Sequence, residues 1–311
     1  MATKFNGYVD FLESRFNGAT GFRFSKFRED ADFLAAKFSR DADFWYSEFK
    51  GNASFLTSEF NGAAGFSESE FNGTADFGFS KFKGIAFFRK SNFSRDAIFR
   101  QTEFNGDVFF ENSRFNETAD FRYSLFKGRT YFQAFFQGPL DLRGIEFNEL
   151  RVSWDSIKNN LICDGPVYIE LIRSFKNLEQ FEDADNCYFQ YRILKQNGEP
   201  FGLPKLIDYF ALISCGYGVK PVYTLACLVF LIFSFGFLFW WRKGVFMFRS
   251  DWEFEVSLKD ALYFSLMSFI GASTAIRPKE GYKFLVATER LLGWLLLALF
   301  LVTLNHVMIR P

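Results

Sequence analysis

Phenylalanine recurs along the first part of the chain at alternating intervals of six and five, so the hydrophobic pattern has a period of eleven. This Phe ladder runs from Phe5 to Phe132 without a gap. Gly and Asn recur just after the first Phe of a unit, as in "FNGTADFGFSK" (Phe71–Lys81), and both residues disfavour helix interiors. The pattern therefore indicates short extended segments, and it argues against the right-handed helical supercoil that an eleven-residue period can also produce.

A small residue stands two positions before almost every Phe of the ladder. In an extended chain, residues i and i−2 point to the same side, so each segment sends one small residue and one Phe inward. We therefore expect columns of stacked Phe rings with small residues filling the corners. The small residues form two sets: Ser14, Ser25, Ser47, Ser58, Ser69 and Ser80; and Ala31, Ala42, Ala53, Ala64, Ala75 and Ala86.

This pattern resembles the pentapeptide-repeat family, whose unit is small-x-Phe/Leu-x-x, over roughly Phe5–Phe147. The resemblance implies a right-handed quadrilateral β-helix, with one extra residue in every second unit and therefore 22 residues per four-sided coil. The step from Phe132 to Phe136 shortens to four, and Leu142 and Phe147 then resume the rhythm. We expect about 6.5 coils in a rod about 31 Å long, at about 4.8 Å per coil.

Charge and composition exclude several classes of function. The chain has 36 basic and 36 acidic residues, which gives no overall attraction to nucleic acid. Some pentapeptide-repeat proteins imitate DNA with a strongly acidic surface, but residues 1–150 carry 19 basic and 21 acidic side chains, so we expect no such mimicry. His306 is the only histidine and the four cysteines form no CxxC pair, so we expect no metal site, no cofactor and no enzyme activity.

Residues 151–200 are predicted to form a helical linker, either an amphipathic helical pair or one long helix closed by Pro200 and Pro204. We expect this linker to pack on the end of the β-helix or on a neighbouring subunit. Its apolar residues recur at intervals of three: Ile169, Ile172, Phe175, Leu178 and Phe181, then Tyr188, Tyr191 and Leu194.

Two apolar runs in the last third of the chain, Val222–Trp241 and Leu291–Ile309, are long enough to span a bilayer. The uncharged run between them, Ala261–Ile276, has 16 residues, which is short for a span and long for a loop. A re-entrant segment fits this length, and it is tolerated where protein or a water-filled cavity surrounds it. The sequence therefore predicts a span, a re-entrant loop and a second span.

The C-terminal third resembles the two-transmembrane potassium-channel-type pore family. "LKDALYFSLMSF" (Leu258–Phe269) is similar to the pore helix of that family, and Glu289–Leu304 is similar to its inner helix, with a possible hinge at Gly293. The resemblance implies a homotetramer with a central pore. The family motif Thr-Val-Gly-Tyr-Gly is missing from the expected position. The residues expected to form the selectivity filter and pore are Ser268, Ile270, Gly271, Ala272, Ser273, Thr274 and Ala275, with Arg277 at the pore mouth.

A Gly-Tyr-Gly sequence does occur at Gly216–Gly218, before the first apolar run. A filter must lie between two spans, so we assign this sequence to a connector. Residues 201–221 are predicted to form an interfacial helix and turn.

The membrane orientation rests on two conflicting signals. Seven basic residues lie from Arg242 to Lys283 and four lie on the flank before the first span, so the positive-inside rule favours a cytoplasmic loop. Because the N-terminal domain carries no export signal, we instead expect that domain and the C-terminus in the cytoplasm of a multi-pass cell-membrane protein.

The predicted protein is an oligomeric ion channel in four parts: a β-helix (1–150), a helical linker (151–200), an interfacial helix (201–221) and a pore domain (222–311). Its expected partners are the lipid bilayer, permeant inorganic ions and further copies of itself, without nucleic acid. Selectivity stays open between weak cation preference, anion preference caused by an Arg277 ring, and potassium selectivity with an unfamiliar geometry. The alternative function is a membrane-anchored interaction scaffold without conductance.

Overall fold

The computed structural model describes residues 3–249 and 252–308. The chain divides into two compact units, Met1–Tyr191 and Arg192–Pro311. The first unit contains the Phe ladder and the second contains both apolar runs.

The first unit is a β-solenoid of parallel strands, most of them two residues long, stacked in columns. Partner strands lie 22 residues apart, since Phe5 pairs with Phe27. The first column contains Lys4–Phe5, Lys26–Phe27, Glu48–Phe49, Glu70–Phe71, Asn92–Phe93, Arg114–Phe115 and Phe135–Phe136. The second contains Val9–Asp10, Ala31–Asp32, Ala53–Ser54, Ala75–Asp76, Ala97–Ile98, Ala119–Asp120, Leu140–Asp141 and Leu161–Ile162.

The remaining solenoid strands belong to a third sheet, which joins two columns at the long strand Leu125–Tyr131. One column contains Arg15–Phe16, Lys37–Phe38, Glu59–Phe60, Lys81–Phe82 and Glu103–Phe104. The other contains Thr20–Gly21, Ala42–Asp43, Ala64–Gly65, Ala86–Phe87 and Val108–Phe109, and Glu146–Arg151 pairs with Leu125–Tyr131. The predicted shortening of the ladder is present as a coil one residue shorter, because Arg114 pairs with Phe135.

The Phe ladder fills the interior of the solenoid, as the sequence predicts. Phe77 is fully buried and stacks between Phe55 and Phe99, with ring centroids 4.9 and 5.0 Å away. It also meets Phe66 and Phe88 edge to face, at 5.1 and 5.4 Å. Offset stacks and edge-to-face pairs are the favourable geometries of aromatic rings. The β-solenoid interpretation of the ladder is therefore confirmed.

The small residues before the Phe also have a polar role. Ser58 Oγ donates a hydrogen bond of 2.6 Å to the carbonyl oxygen of Phe33, 25 residues earlier, and Ser69 repeats this contact with Phe44. The carbonyl groups of Phe33 and Phe44 also accept from backbone N–H groups, so the added bonds chiefly give the buried serine hydroxyl groups a partner. Because a buried hydroxyl without a partner costs free energy, these bonds let the serines fill the corners without that cost.

Helices close the C-terminal end of the solenoid. They are α1 (Trp154–Ile157), α2 (Gly165–Asn177) and the first part of α3 (Phe181–Gly198). Leu171 and Phe175 of α2 are fully buried in the same apolar cluster as the Phe ladder. The linker is therefore a helical pair that continues the solenoid core.

The second unit begins within α3 and continues with α4 (Leu203–Cys215), a 3₁₀ turn (Gly216–Gly218) and α5 (Pro221–Trp241). The antiparallel strands Val245–Arg249 and Trp252–Glu255 follow, and then α6 (Leu258–Phe269). The strand Ile276–Pro278 pairs with Val245–Arg249, and a 3₁₀ turn (Glu280–Tyr282) leads into α7 (Lys283–Met308). Pro204 lies in the first turn of α4, so it begins this helix and does not close the preceding one.

Candidate functional site

Two helices of the second unit, α5 and α7, are long and apolar enough to cross a membrane. A core helix of a soluble protein would be mostly buried, whereas the most apolar windows of these two helices are 28% and 11% buried within the chain. Most of their apolar surface is therefore open to lipid or to another copy. Ile309, the last residue of the second predicted span, lies outside the described residues.

Helix α6 packs against both of these helices, which also pack against each other. A Cβ atom at Gly236 of α5 would lie 2.9 Å from the Cα of Leu262, and one at Gly293 of α7 would lie 2.2 Å from the ring of Phe269. Because glycine has no side chain at either position, α6 can approach both helices closely. Helix α6 is therefore packed tightly against two helices that could span a membrane. Close packing by itself explains Gly293, and its role as a hinge stays a prediction.

The boundaries of α6 follow from its sequence. Ser257 caps the N-terminus, where its hydroxyl accepts a hydrogen bond from the Asp260 amide at 3.3 Å. At the C-terminus, Gly271 has φ +76°, its N–H donates to Ser268 O, and the N–H of Ala272 donates to Met267 O. This is a Schellman motif, which requires a left-handed residue after the helix. Gly271 therefore ends the helix, a role that the sequence analysis did not foresee.

A polar contact links α6 to both neighbouring helices inside this apolar unit. The Ser265 hydroxyl lies 2.9 Å from the carbonyl oxygen of Ile232 on α5, and it also contacts the Glu289 carboxyl group on α7. Both Ser265 and Glu289 are fully buried. Arg290 Nε donates a hydrogen bond of 3.1 Å to the carbonyl oxygen of Ser268. The sequence analysis did not foresee that Ser265 and Glu289 meet.

The residues predicted to form the filter follow directly after α6. Ser268 is buried, and its carbonyl oxygen contacts Arg290 of α7. Of the residues that follow, Ala272 and Thr274 are half-buried, and the exposed ones are Ile270, Gly271, Ser273 and Ala275. Thr274 Oγ1 donates to the carbonyl oxygen of Ile276 at 2.9 Å. The structure therefore brings Ile270–Ala275 together as one short, open segment and separates Ser268 from it.

Arg277 is exposed on the strand Ile276–Pro278 and pairs with Phe246 in the three-stranded sheet. The sequence analysis missed this sheet. The signal was present, because "WEFEV" (Trp252–Val256) alternates apolar and acidic residues as a strand does. The pairing fixes the backbone at Arg277, so the Arg277 side chain projects from a β-strand and not from an unpaired loop.

The Gly-Tyr-Gly sequence forms the 3₁₀ turn between α4 and α5, away from α6 in the sequence. Tyr217 OH donates to Gln196 Oε1 at 3.0 Å, and the Arg192 guanidinium lies 4.7 Å from the Tyr217 ring centroid. Helix α4, which precedes this turn, exposes a set of apolar side chains typical of an interfacial helix. They are Leu203, Leu206, Ile207, Phe210 and Ile213.

Comparison with protein families gives one match, to a family described as pentapeptide repeats (9 copies), over residues 88–134. This segment lies within the β-solenoid. The match and the β-solenoid fold together support a pentapeptide-repeat domain in the N-terminal part of the chain. No curated protein and no solved structure matches the chain. The pentapeptide repeats and the two apolar helices are together compatible with a membrane-associated protein. Among residues 3–249 and 252–308, no group of three or more His, Cys, Asp or Glu side chains could hold a metal ion.

Proposed function

We propose that this protein is an oligomeric membrane ion channel in which α5 and α7 span the bilayer and α6 is a re-entrant pore helix. One observation carries the proposal: a helix too short to span packs closely against two helices that are long enough. The 12 residues of α6 extend about 18 Å, against a hydrocarbon core of about 30 Å. A helix of this length that ends within the bilayer needs surrounding protein or water at its end.

The open segment Ile270–Ala275 supports an oligomer. Its backbone is irregular and mostly exposed in the single chain, and lipid cannot satisfy irregular backbone. Further copies around a symmetry axis would enclose it and leave a water-filled opening. We infer a homotetramer, in keeping with the resemblance of this region to tetrameric pore domains. Its mass in detergent should therefore be four times that of one chain, and a monomer would exclude a central pore.

The sign of the permeant ion is open because two features oppose each other. The C-terminal end of α6 carries a partial negative charge and favours cations near Ile270. A ring of Arg277 side chains favours anions. Without the Thr-Val-Gly-Tyr-Gly motif, a potassium-selective file of carbonyl groups would need an unfamiliar geometry. We propose a weakly selective opening through which ions keep part of their hydration shell.

We further propose that the solenoid and the C-terminus are cytoplasmic in the cell membrane, and that the solenoid serves assembly, docking or gating. A specific observation also favours the alternative, a membrane-anchored scaffold without conductance. Phe87, Phe109 and Tyr131 stack along the outside of the solenoid, with ring centroids 5.3 and 4.7 Å apart. Arg89 lies 4.1 Å from the centroid of the Phe109 ring. Because Arg89 also forms an ion pair with Glu111, the column is aromatic with its charge balanced, and such a surface is suited to protein contacts.

Ion flux from proteoliposomes tests the proposal when it is combined with cysteine modification. We expect flux from the wild-type protein, and block of the Ser273→Cys variant by a charged, membrane-impermeant thiol reagent. The matched control is Leu295→Cys on α7, where an exposed apolar side chain lines a groove with Phe210 of α4 and Phe230 of α5 and not with Ile270–Ala275. Wild-type protein treated with the same reagent controls for native cysteines. If the thiol reagent left ion flux unchanged in both variants, Ser273 would lie outside the ion path. The absence of any flux from the wild-type protein would favour the scaffold.

A further inference from the structure

Glu289 is a fully buried acidic residue on a membrane-competent helix, and the proposed conduction path does not use it. The groups that face it are the Ser265 and Ser268 hydroxyl groups of α6, with Arg290 next to it on α7. Because one chain buries the carboxyl group completely, neither lipid nor a second copy can supply it with a partner. Its protonation state must therefore fit the groups that this chain provides.

The hydrogen atoms around Ser265 can be counted. Its hydroxyl group has one hydrogen, but two oxygen atoms lie within hydrogen-bond distance: the Ile232 carbonyl oxygen and Glu289 Oε1. If Glu289 were a carboxylate, both would be acceptors, and one of the two close contacts would lack a hydrogen. If Glu289 is a carboxylic acid, its O–H donates to Ser265 Oγ, and Ser265 donates to Ile232 O. Only the neutral acid satisfies both contacts.

The other carboxyl oxygen leads to the same conclusion. Within residues 3–249 and 252–308, Glu289 Oε2 is buried and forms no close hydrogen bond, although the Ser268 hydroxyl group faces this carboxyl group. A buried carboxylate is stable when several donors surround it, and an isolated one is very costly inside a membrane protein. Arg290 is the neighbouring cation, but its Nε donates to the Ser268 carbonyl oxygen. The Ser268 hydroxyl group is the further donor that faces this carboxyl group. A charged Glu289 would therefore be held by two hydroxyl groups, and one of them, Ser265, has a single hydrogen to share with the Ile232 carbonyl oxygen.

We propose that Glu289 is held as a neutral carboxylic acid that donates a hydrogen bond to Ser265 and thereby ties α7 to α6 and α5. The proton is part of this three-helix clasp, which consists of Glu289, Ser265 and the Ile232 carbonyl group. Glu289 is a positioning residue, since it fixes α6 and with it the segment that follows. The clasp belongs to the fold of a single chain, so it does not depend on conduction.

Infrared spectroscopy of the full-length protein in lipid at neutral pH tests the clasp without any ion gradient. We expect the wild-type spectrum to contain a carboxylic-acid C=O band that is absent from Glu289→Gln. Ser265→Ala should keep the acid and shift this band, because the acid loses its hydrogen-bond acceptor. The proposal would be overturned if the difference spectrum, wild type minus Glu289→Gln, contained only carboxylate bands. It would also be overturned if Ser265→Ala left the carboxylic-acid C=O band unchanged.

Thermal melting of the helical signal adds a test by conservative replacement. The side-chain amide introduced by Glu289→Gln can still donate to Ser265, so this variant should keep the wild-type melting temperature. Glu289→Ala, which removes the donor, should melt lower. If Glu289→Gln and Glu289→Ala lost the same stability, the donated hydrogen bond would be excluded as the cause. Ser265→Ala supplies the spectroscopic test should either Glu289 variant fail to fold.

Discussion

Replacing Phe77 tests the packing of the β-solenoid most sharply, because this residue sits at the centre of the Phe ladder. Its side chain is fully buried between two stacked rings and two edge-to-face rings. We expect Phe77→Asp to be severely destabilising and Phe77→Leu to be much milder. Leu142 supports the second expectation, since it occupies a ladder position and is fully buried.

The magnitudes follow from the contacts. Removing a buried Phe side chain costs about 3–5 kcal/mol, and a buried carboxylate adds a desolvation penalty, so Phe77→Asp should cost more than about 4 kcal/mol. Leu keeps most of the apolar volume but loses two stacked and two edge-to-face pairs, each worth about 0.5–1.5 kcal/mol. Because the Leu methyl groups keep part of these contacts, we expect a cost of about 2–3 kcal/mol. For a domain of 150–250 residues, each kcal/mol lowers the melting temperature by about 2–4 °C.

The assay is thermal melting of the full-length protein in detergent, followed by the circular dichroism of the β-solenoid. Phe79 provides a matched control two residues away. Its side chain is 49% exposed and its φ is +57°, a conformation that Asp tolerates better than Phe. Phe79→Asp should therefore change stability by less than about 0.5 kcal/mol. Equal losses from Phe77→Leu and Phe77→Asp, or a large loss from Phe79→Asp, would refute the inward ladder.

Three further predictions concern single residues. Gly271→Ala should destabilise the end of α6 by about 1 kcal/mol, because alanine is strained at φ +76°. Amide hydrogen exchange at Ile270–Ala272 should become faster, and unchanged exchange would contradict the role of Gly271 as a helix cap. Arg277→Glu should move the reversal potential in a KCl gradient toward the potassium equilibrium potential, and the shift should be smaller at high salt. An unchanged reversal potential at low salt would place Arg277 away from the ion path. Cys163 is half-buried, and the loss of solvation raises the pKa of its thiol to about 12, so it stays neutral at pH 8. A chain with Cys163 as its only cysteine should therefore label more slowly when folded than when unfolded, and equal rates would contradict this environment.

The solenoid could be predicted from the sequence because each coil packs on a coil of the same pattern. The inward Phe and the small residues two positions earlier are therefore visible as a period, and so is the shortened step at Phe136. The corners could not be predicted in the same way. Every eleventh residue from Glu13 to Tyr123 has a left-handed φ of 53–59°, yet the residues there include Phe79 and other types that seldom adopt it. Stacking of neighbouring coils imposes this conformation, and residue preference does not reveal it.

The second unit could be predicted only in outline. The apolar runs indicated two helices, but α7 begins at Lys283, eight residues before Leu291, because charged residues end an apolar run without ending the helix. Glu289 can be buried among apolar side chains because Ser265 of another helix, 24 residues away in the sequence, provides a polar contact. A contact between helices leaves no local pattern, so neither this pair nor the approach of Phe269 to Gly293 could be found before the fold was known.

Recording from purified protein in a planar bilayer under asymmetric KCl tests the central claim, that this is an ion channel, most directly. We predict discrete current steps that are absent from the same bilayer without protein. The reversal potential then assigns the permeant ion, since a value near the potassium equilibrium potential indicates cations and one near the chloride equilibrium potential indicates anions. A folded, oligomeric protein that inserts into the bilayer and carries no current would contradict the channel and leave the membrane-anchored scaffold as the function.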